Sequence, residues 1–192
     1  MVPWLIAGVS VALLVIVAVV RFAGPLQAPP ARGVTPQSTR SVAPDISNMS
    51  PRERADRLFN RVVAAAERND FNEVAFFTPM ATQAYGLLGQ LDSDARYHLG
   101  LIYALSSQPA AALAQADTLK QGQPGHLLAT IIQNEVAKVT GDEPGRVATY
   151  QTFLINYPAE IPSGKREYSE HRRTLDLFLE EARAALEGSP GR

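Results

Sequence analysis

The chain of 192 residues has no cysteine. This excludes a disulfide framework, a thiolate metal site, a thiol nucleophile and an acylated lipoprotein cysteine, and it assigns no redox compartment. Gly-x-Gly-x-x-Gly, phosphate-binding-loop and Gly-x-Ser-x-Gly patterns are also missing, so the sequence offers no nucleotide or cofactor cradle and no nucleophile elbow. Only three histidines occur, His98, His126 and His171. They fall on different expected helices, without the His partner at i, i+3 or i, i+4 that a helical metal site favours. His171 stands on an apolar stripe and is expected to pack there. Glu180 and Glu181 are neighbours, diverge around a helix and read as a solvated face. The expectation is a protein that is not an enzyme, with no cofactor and no metal.

A net charge of either sign is all but missing too. The net charge is −1, and the first 44 residues hold Arg21, Arg32 and Arg40 with no acid. Neither part is basic enough for a nucleic-acid surface, and no nucleic-acid partner is expected.

What the sequence does contain begins with a long apolar run. Val2 to Val20 carries no charge and is rich in Val, Leu, Ile and Ala. As a helix rising about 1.5 Å per residue it covers about 28 Å, one hydrocarbon thickness. Pro3 suits a helix start and Trp4 suits the interface. A basic n-region and a small-x-small cleavage site are both missing, which favours a retained anchor at residues 2–21 over a cleaved signal peptide. The expected location is therefore a cell membrane, crossed once. The three arginines just beyond the span would keep that side in the cytoplasm. Residues 22–49 contain five prolines among Gly, Ser, Thr, Gln and Ala, and read as an extended linker.

From residue 50 to 188 the pattern is helical throughout, which makes the fold class all-α. Ser50, Pro51 and Glu53 write a capping box with proline at the first helical position. Leu58, Val62, Ala65 and Ala66 follow at helical spacing, and Asn69-Asp70-Phe71 reads as a turn into a second helix with Val74 and Ala75 inward. Gly86 to Gln90 is a joint. Asp92 or Ser93 caps a third helix, Ser106 and Ser107 break it, and Pro109 opens a fourth. A last helix at about 165–187 carries Tyr168, His171, Leu175, Phe178, Ala182 and Ala185 at steps of three and four, with charges on its other faces.

Gly100, Tyr103, Ala112 and Pro124 carry a resemblance to the tetratricopeptide repeat (TPR), a helical hairpin of about 34 residues. Counted from Ser93, they occupy the family's eighth, eleventh, twentieth and thirty-second positions. A partial copy follows, with Gly141-Asp142 at the turn, Tyr150 and Phe153 on its second helix and Pro158 at the interval of Pro124. In that copy Asn134 replaces the glycine and Ala137 the tyrosine. The resemblance implies a short α-solenoid of about three hairpins, at about 55–88, 93–126 and 127–160, closed by a capping helix at about 165–187.

In that family the first helices of successive repeats line a concave groove. The matching positions here include Tyr97, Leu101, Leu105, Leu128, Ile131, Glu135 and Lys138, a mostly apolar set without the basic and amide residues that clamp a C-terminal carboxylate. The resemblance thus implies a membrane-tethered adaptor that binds an apolar peptide or helix of a partner protein. Core packing of Tyr97, Leu101 and Ile131 between helices is the competing reading of the same residues. A self-associating structural component of a membrane complex is the alternative function. Membrane-anchored bacterial TPR proteins often display their repeats outside the cytoplasm, so the side of the membrane stays open between that and the arginine rule.

Overall fold

Ser50 begins the helical domain in the way its neighbours dictate. Its N–H donates to Glu53 Oε2 at 2.7 Å, and the Glu53 N–H donates back to Ser50 Oγ at 3.2 Å, so two otherwise unpaired donors satisfy each other. The computed structural model describes residues 49–187. The expected anchor at 2–21 and residues 22–48 of the expected linker lie outside the described residues. Among the described residues there is no strand, and no helix is long and apolar enough to cross a membrane.

Within the described residues eight α-helices follow one another: α1 (Pro51–Glu67), α2 (Phe71–Gly86), α3 (Ser93–Leu105), α4 (Pro109–Gly122), α5 (Leu127–Thr140), α6 (Glu143–Glu160), α7 (Arg166–Glu170) and α8 (Arg172–Glu187). A 3₁₀ turn, Ile161–Ser163, joins α6 to α7. The first six pair as hairpins, α1 with α2, α3 with α4 and α5 with α6, and α3 packs against both α1 and α5. The result is a solenoid-like stack.

The three hairpins turn by one device. Asn69, Ser107 and Gly141 each adopt positive φ, at 57°, 60° and 71°. The next residue's N–H then reaches back five residues, from Asp70 to Ala65 O at 2.9 Å, from Gln108 to Tyr103 O at 2.8 Å and from Asp142 to Ala137 O at 2.8 Å. This is the Schellman closure, which uses carbonyls that the helix end leaves free. Asp70 and Asp142 then cap the next helix through their carboxylates, on Glu73 N–H at 3.0 Å and Gly145 N–H at 2.9 Å.

Two apolar clusters share α3 as their wall. One joins Phe59 and Val62 of α1, Val74, Ala81 and Tyr85 of α2, and Leu99 and Ile102 of α3. The other joins Tyr97, Leu128, Ile131 and Ile132 to Phe153 of α6 and to Leu175, Phe178 and Ala182 of α8. Leu101 and Tyr103 touch both clusters. Gly100 allows this closeness, since a Cβ there would stand 2.5 Å from Ile132 Cδ1. In the third hairpin Asn134, which stands in place of the TPR pattern's glycine, is buried and donates to Thr149 Oγ1 at 2.7 Å.

Two expectations change. Ala75 is exposed, and α2 turns Val74, Thr78, Ala81 and Tyr85 inward instead, a three-and-four step that Ala75 does not fit. The last helix is two helices. His171 leaves helical geometry at φ −106° and ψ 22°, with its imidazole hydrogen-bonded to Asp94 of α3.

The joint between the second and third hairpins rests on a buried carboxylate. Glu160 accepts from Tyr168 Oη at 2.7 Å, from Lys165 Nζ at 2.8 Å and from the Gln123 amide. The Tyr168 oxygen in turn accepts the Leu127 N–H at 3.0 Å, at the start of a helix whose own N-cap makes no side-chain bond. Burial pushes the Glu160 carboxyl up, but the bonds from Lys165, Tyr168 and Gln123 outweigh it and hold the pKa below the usual range. A lowered folded pKa contributes stability above the unfolded value, about 4.3, that is lost as pH falls through the folded pKa. Glu160→Gln should therefore cost about 1–2 kcal/mol in urea unfolding at pH 7, and the gap to wild type should narrow as pH falls below about 4.3.

Candidate functional site

Asp94 and His98 lie four residues apart on α3, a spacing that sets both side chains on one face. Both are buried, Asp94 at 7% and His98 at 8% exposure. The break at His171 delivers a third group to them. His171 Nε2 lies 2.5 Å from Asp94 Oδ1, His98 Nε2 lies 3.6 Å from the same oxygen, and the two imidazole rings stand edge-to-face with centroids 5.1 Å apart. Two histidines expected on separate helices are thus neighbours. His126, by contrast, is buried elsewhere beside Glu167, at 3.3 Å.

Around this trio α1 and α2 build a polar frame. Arg52 bonds the other Asp94 oxygen, Oδ2, and also Asp56 at 2.9 Å and Asp92 at 3.1 Å. Tyr85 Oη lies 2.7 Å from Asp56 Oδ1 and 2.9 Å from His98 Nδ1. A carboxylate only accepts, so the Tyr85 hydroxyl donates to Asp56 and its oxygen accepts from His98 Nδ1–H. Asp56 Oδ1 is itself 3.2 Å from that nitrogen. His98 is left with its Nε2 lone pair facing Asp94 and His171. Phe59 stacks flat on the His98 ring at 3.9 Å, and Tyr97 meets the His171 ring edge at 4.7 Å.

The charges follow from these contacts. Burial pushes Asp94 up, but the His171 hydrogen bond and the basic groups gathered around it, Arg52 among them, prevail and hold it below the ordinary carboxylate range. Burial lowers His98, and the facing carboxylates of Asp94 and Asp56 only partly offset that. Burial also raises Tyr85 strongly, with the Asp56 contact adding to it. Asp94, His98 and His171 each offer one ligand atom, and these atoms all lie within 4.8 Å of one another.

His98 and His171 open on a cleft of about 610 Å³ between α1, α3 and α8, and Asp94 lies behind them. Its walls are Phe59 and Val63 of α1, Tyr97 and Leu101 of α3, and Leu177 and Phe178 of α8, with Asp56, Glu67 and Glu181 among its polar lining. Of the residues expected in a groove, Tyr97 and Leu101 line this cleft. Tyr97, Leu128 and Ile131 are buried in the cluster that α8 completes, Leu105 and Glu135 are half-buried, and Lys138 is exposed. The expected groove residues are therefore not gathered on one open surface. The cleft forms where α8 folds back toward α1 and α3.

Comparison of the chain with protein-family models, with curated proteins and with solved structures finds no match. The site stands on its own geometry. Its sequence signal was the Asp94–His98 spacing, a carboxylate partner rather than a second histidine; nothing local announces His171, 77 residues from Asp94.

Arg52 is the counter-charge that holds three carboxylates together. Arg52→Ala should lower the unfolding free energy by about 2 kcal/mol, less than for a fully buried pair because the guanidinium is partly exposed. Arg52→Lys should recover less than half of that, since a single ammonium does not reproduce a planar fork. Chemical denaturation of the three proteins checks both.

Proposed function

We propose that the chain is a membrane-tethered, TPR-like interaction scaffold whose cleft between α1, α3 and α8 holds an apolar segment of a partner protein. The observation that carries this reading is the cleft's composition. Its volume lies within the range of about 300–1,000 Å³ typical of ligand-holding clefts, and Leu177 on its wall is 55% exposed. Its lining includes Glu67 and Glu181 and no lysine or arginine. The chemistry complementary to it is a run of apolar side chains flanked by a basic residue.

A second reading, self-association, draws on α2. Phe76, Met80 and Leu87 follow at helical steps along one side of it, exposed at 66%, 37% and 77%. A second copy presenting the same side would cover that surface.

Leu177→Glu tests the first reading without entering the core. Random 16-residue peptides selected on the full chain should converge on apolar residues at helical spacing with a flanking Lys or Arg. Their affinity should fall at least tenfold in Leu177→Glu, while the helical circular dichroism stays unchanged. Selected peptides that bind both proteins equally would overturn the cleft as the docking site. For the second reading, sedimentation of the full chain should show a dimer that Phe76→Glu with Leu87→Glu converts to monomer; a wild-type monomer would sink it.

A further inference from the structure

We propose that Asp94, His98 and His171 form a binding site for one divalent transition-metal ion of the Zn²⁺ type, open to the α1–α3–α8 cleft. The site does not depend on what occupies the cleft, because it rests on three side chains and their supports.

The donor set fits such an ion. Two imidazoles and one carboxylate are the ligands of borderline-soft divalent metals, and three protein ligands with one position left over is the arrangement of an open zinc site. At metal–ligand distances of about 2.0–2.1 Å, tetrahedral ligand atoms stand about 3.3 Å apart. The Asp94–His98 separation of 3.6 Å is already close to this. The Asp94–His171 separation of 2.5 Å is that of two groups sharing a proton, and it has to open by less than about 1 Å when a metal replaces that proton.

The supports fit as well. His98 Nδ1–H is held by Tyr85 Oη and Asp56, which fixes the tautomer and leaves Nε2 facing Asp94 and His171, as a carboxylate behind a ligating histidine does. Arg52 engages Asp94 through Oδ2, leaving Oδ1 as the oxygen that faces both histidines. Three carboxylates, Asp56, Asp92 and Asp94, meet one guanidinium at contact distance, with Arg166 farther off at 3.7 Å from Asp92. The surplus negative charge favours a cation. His98 and His171 both line the cleft, which supplies the path for the ion and for a fourth, external ligand.

The test uses the full chain after treatment with a chelator. Zn²⁺ titrated in a calorimeter should bind at one equivalent with a Kd of about 1 μM or tighter. Co²⁺ should give the intense visible absorption of a four- or five-coordinate ion. His98→Gln and His171→Gln should each weaken binding at least about a hundredfold, Asp56→Asn about tenfold through the lost support, and His126→Gln not at all. In the unmutated protein, long-range ¹H–¹⁵N spectra should show Zn²⁺ shifting the Nε2 signals of two of the three histidines, a readout that no misfolded variant can confuse. Absence of saturable binding, unchanged affinity in both ligand variants, or equal loss in His126→Gln would overturn the site.

Discussion

The Asp94 carboxylate is the point on which the architecture turns. A buried anion is expensive unless each lone pair finds a donor, and Asp94 finds its donors on α1, through Arg52, and at the α7–α8 break, through His171. One side chain on the third helix thereby fixes the first helix and the last. The apolar clusters on either side of α3 would pack without it, but the direction in which α8 returns would not be specified by Leu175 and Phe178 alone. Apolar contacts supply most of the driving force and little of the direction.

The hairpins themselves were legible because their signals are local. Ser50 with Glu53, Asn69 with Asp70, and Gly141 with Asp142 each state a helix end in two to four residues, and the backbone does there what those residues favour. Gly100 and Ala112 were legible for a related reason: small residues at hairpin spacing mark where helices approach closely. Ala75 misled because its neighbour Val74 supplies the inward position and the three-and-four step passes over the next residue.

The site was legible only in part. Asp94 and His98 declare their shared face by spacing, and a search for histidine pairs passes over that face because its second ligand is a carboxylate. His171 gives no local sign of its role. It continues an apolar stripe, so the pattern reads one unbroken helix, whereas a contact formed across the fold accompanies the interruption. A similar limit applied to the expected groove. The first-helix positions Leu128 and Ile131 stand where a repeat stack would leave a concave face, but α8 supplies the apolar side chains that cover them.

The return of α8 also changes what kind of object the stack is. A simple array of hairpins is held by nearest-neighbour contacts and frays from either end. The link from Asp94 to His171 spans 77 residues and ties the tail to a helix one hairpin further in. Loosening the terminal helix then disturbs the α1–α3 boundary, so the ends no longer melt independently. Forming that link requires closing a long loop, an entropic cost that the nearby apolar contacts do not share. The hairpins rest on local contacts, whereas the closing contact joins them across the fold and makes a row of hairpins into one connected unit.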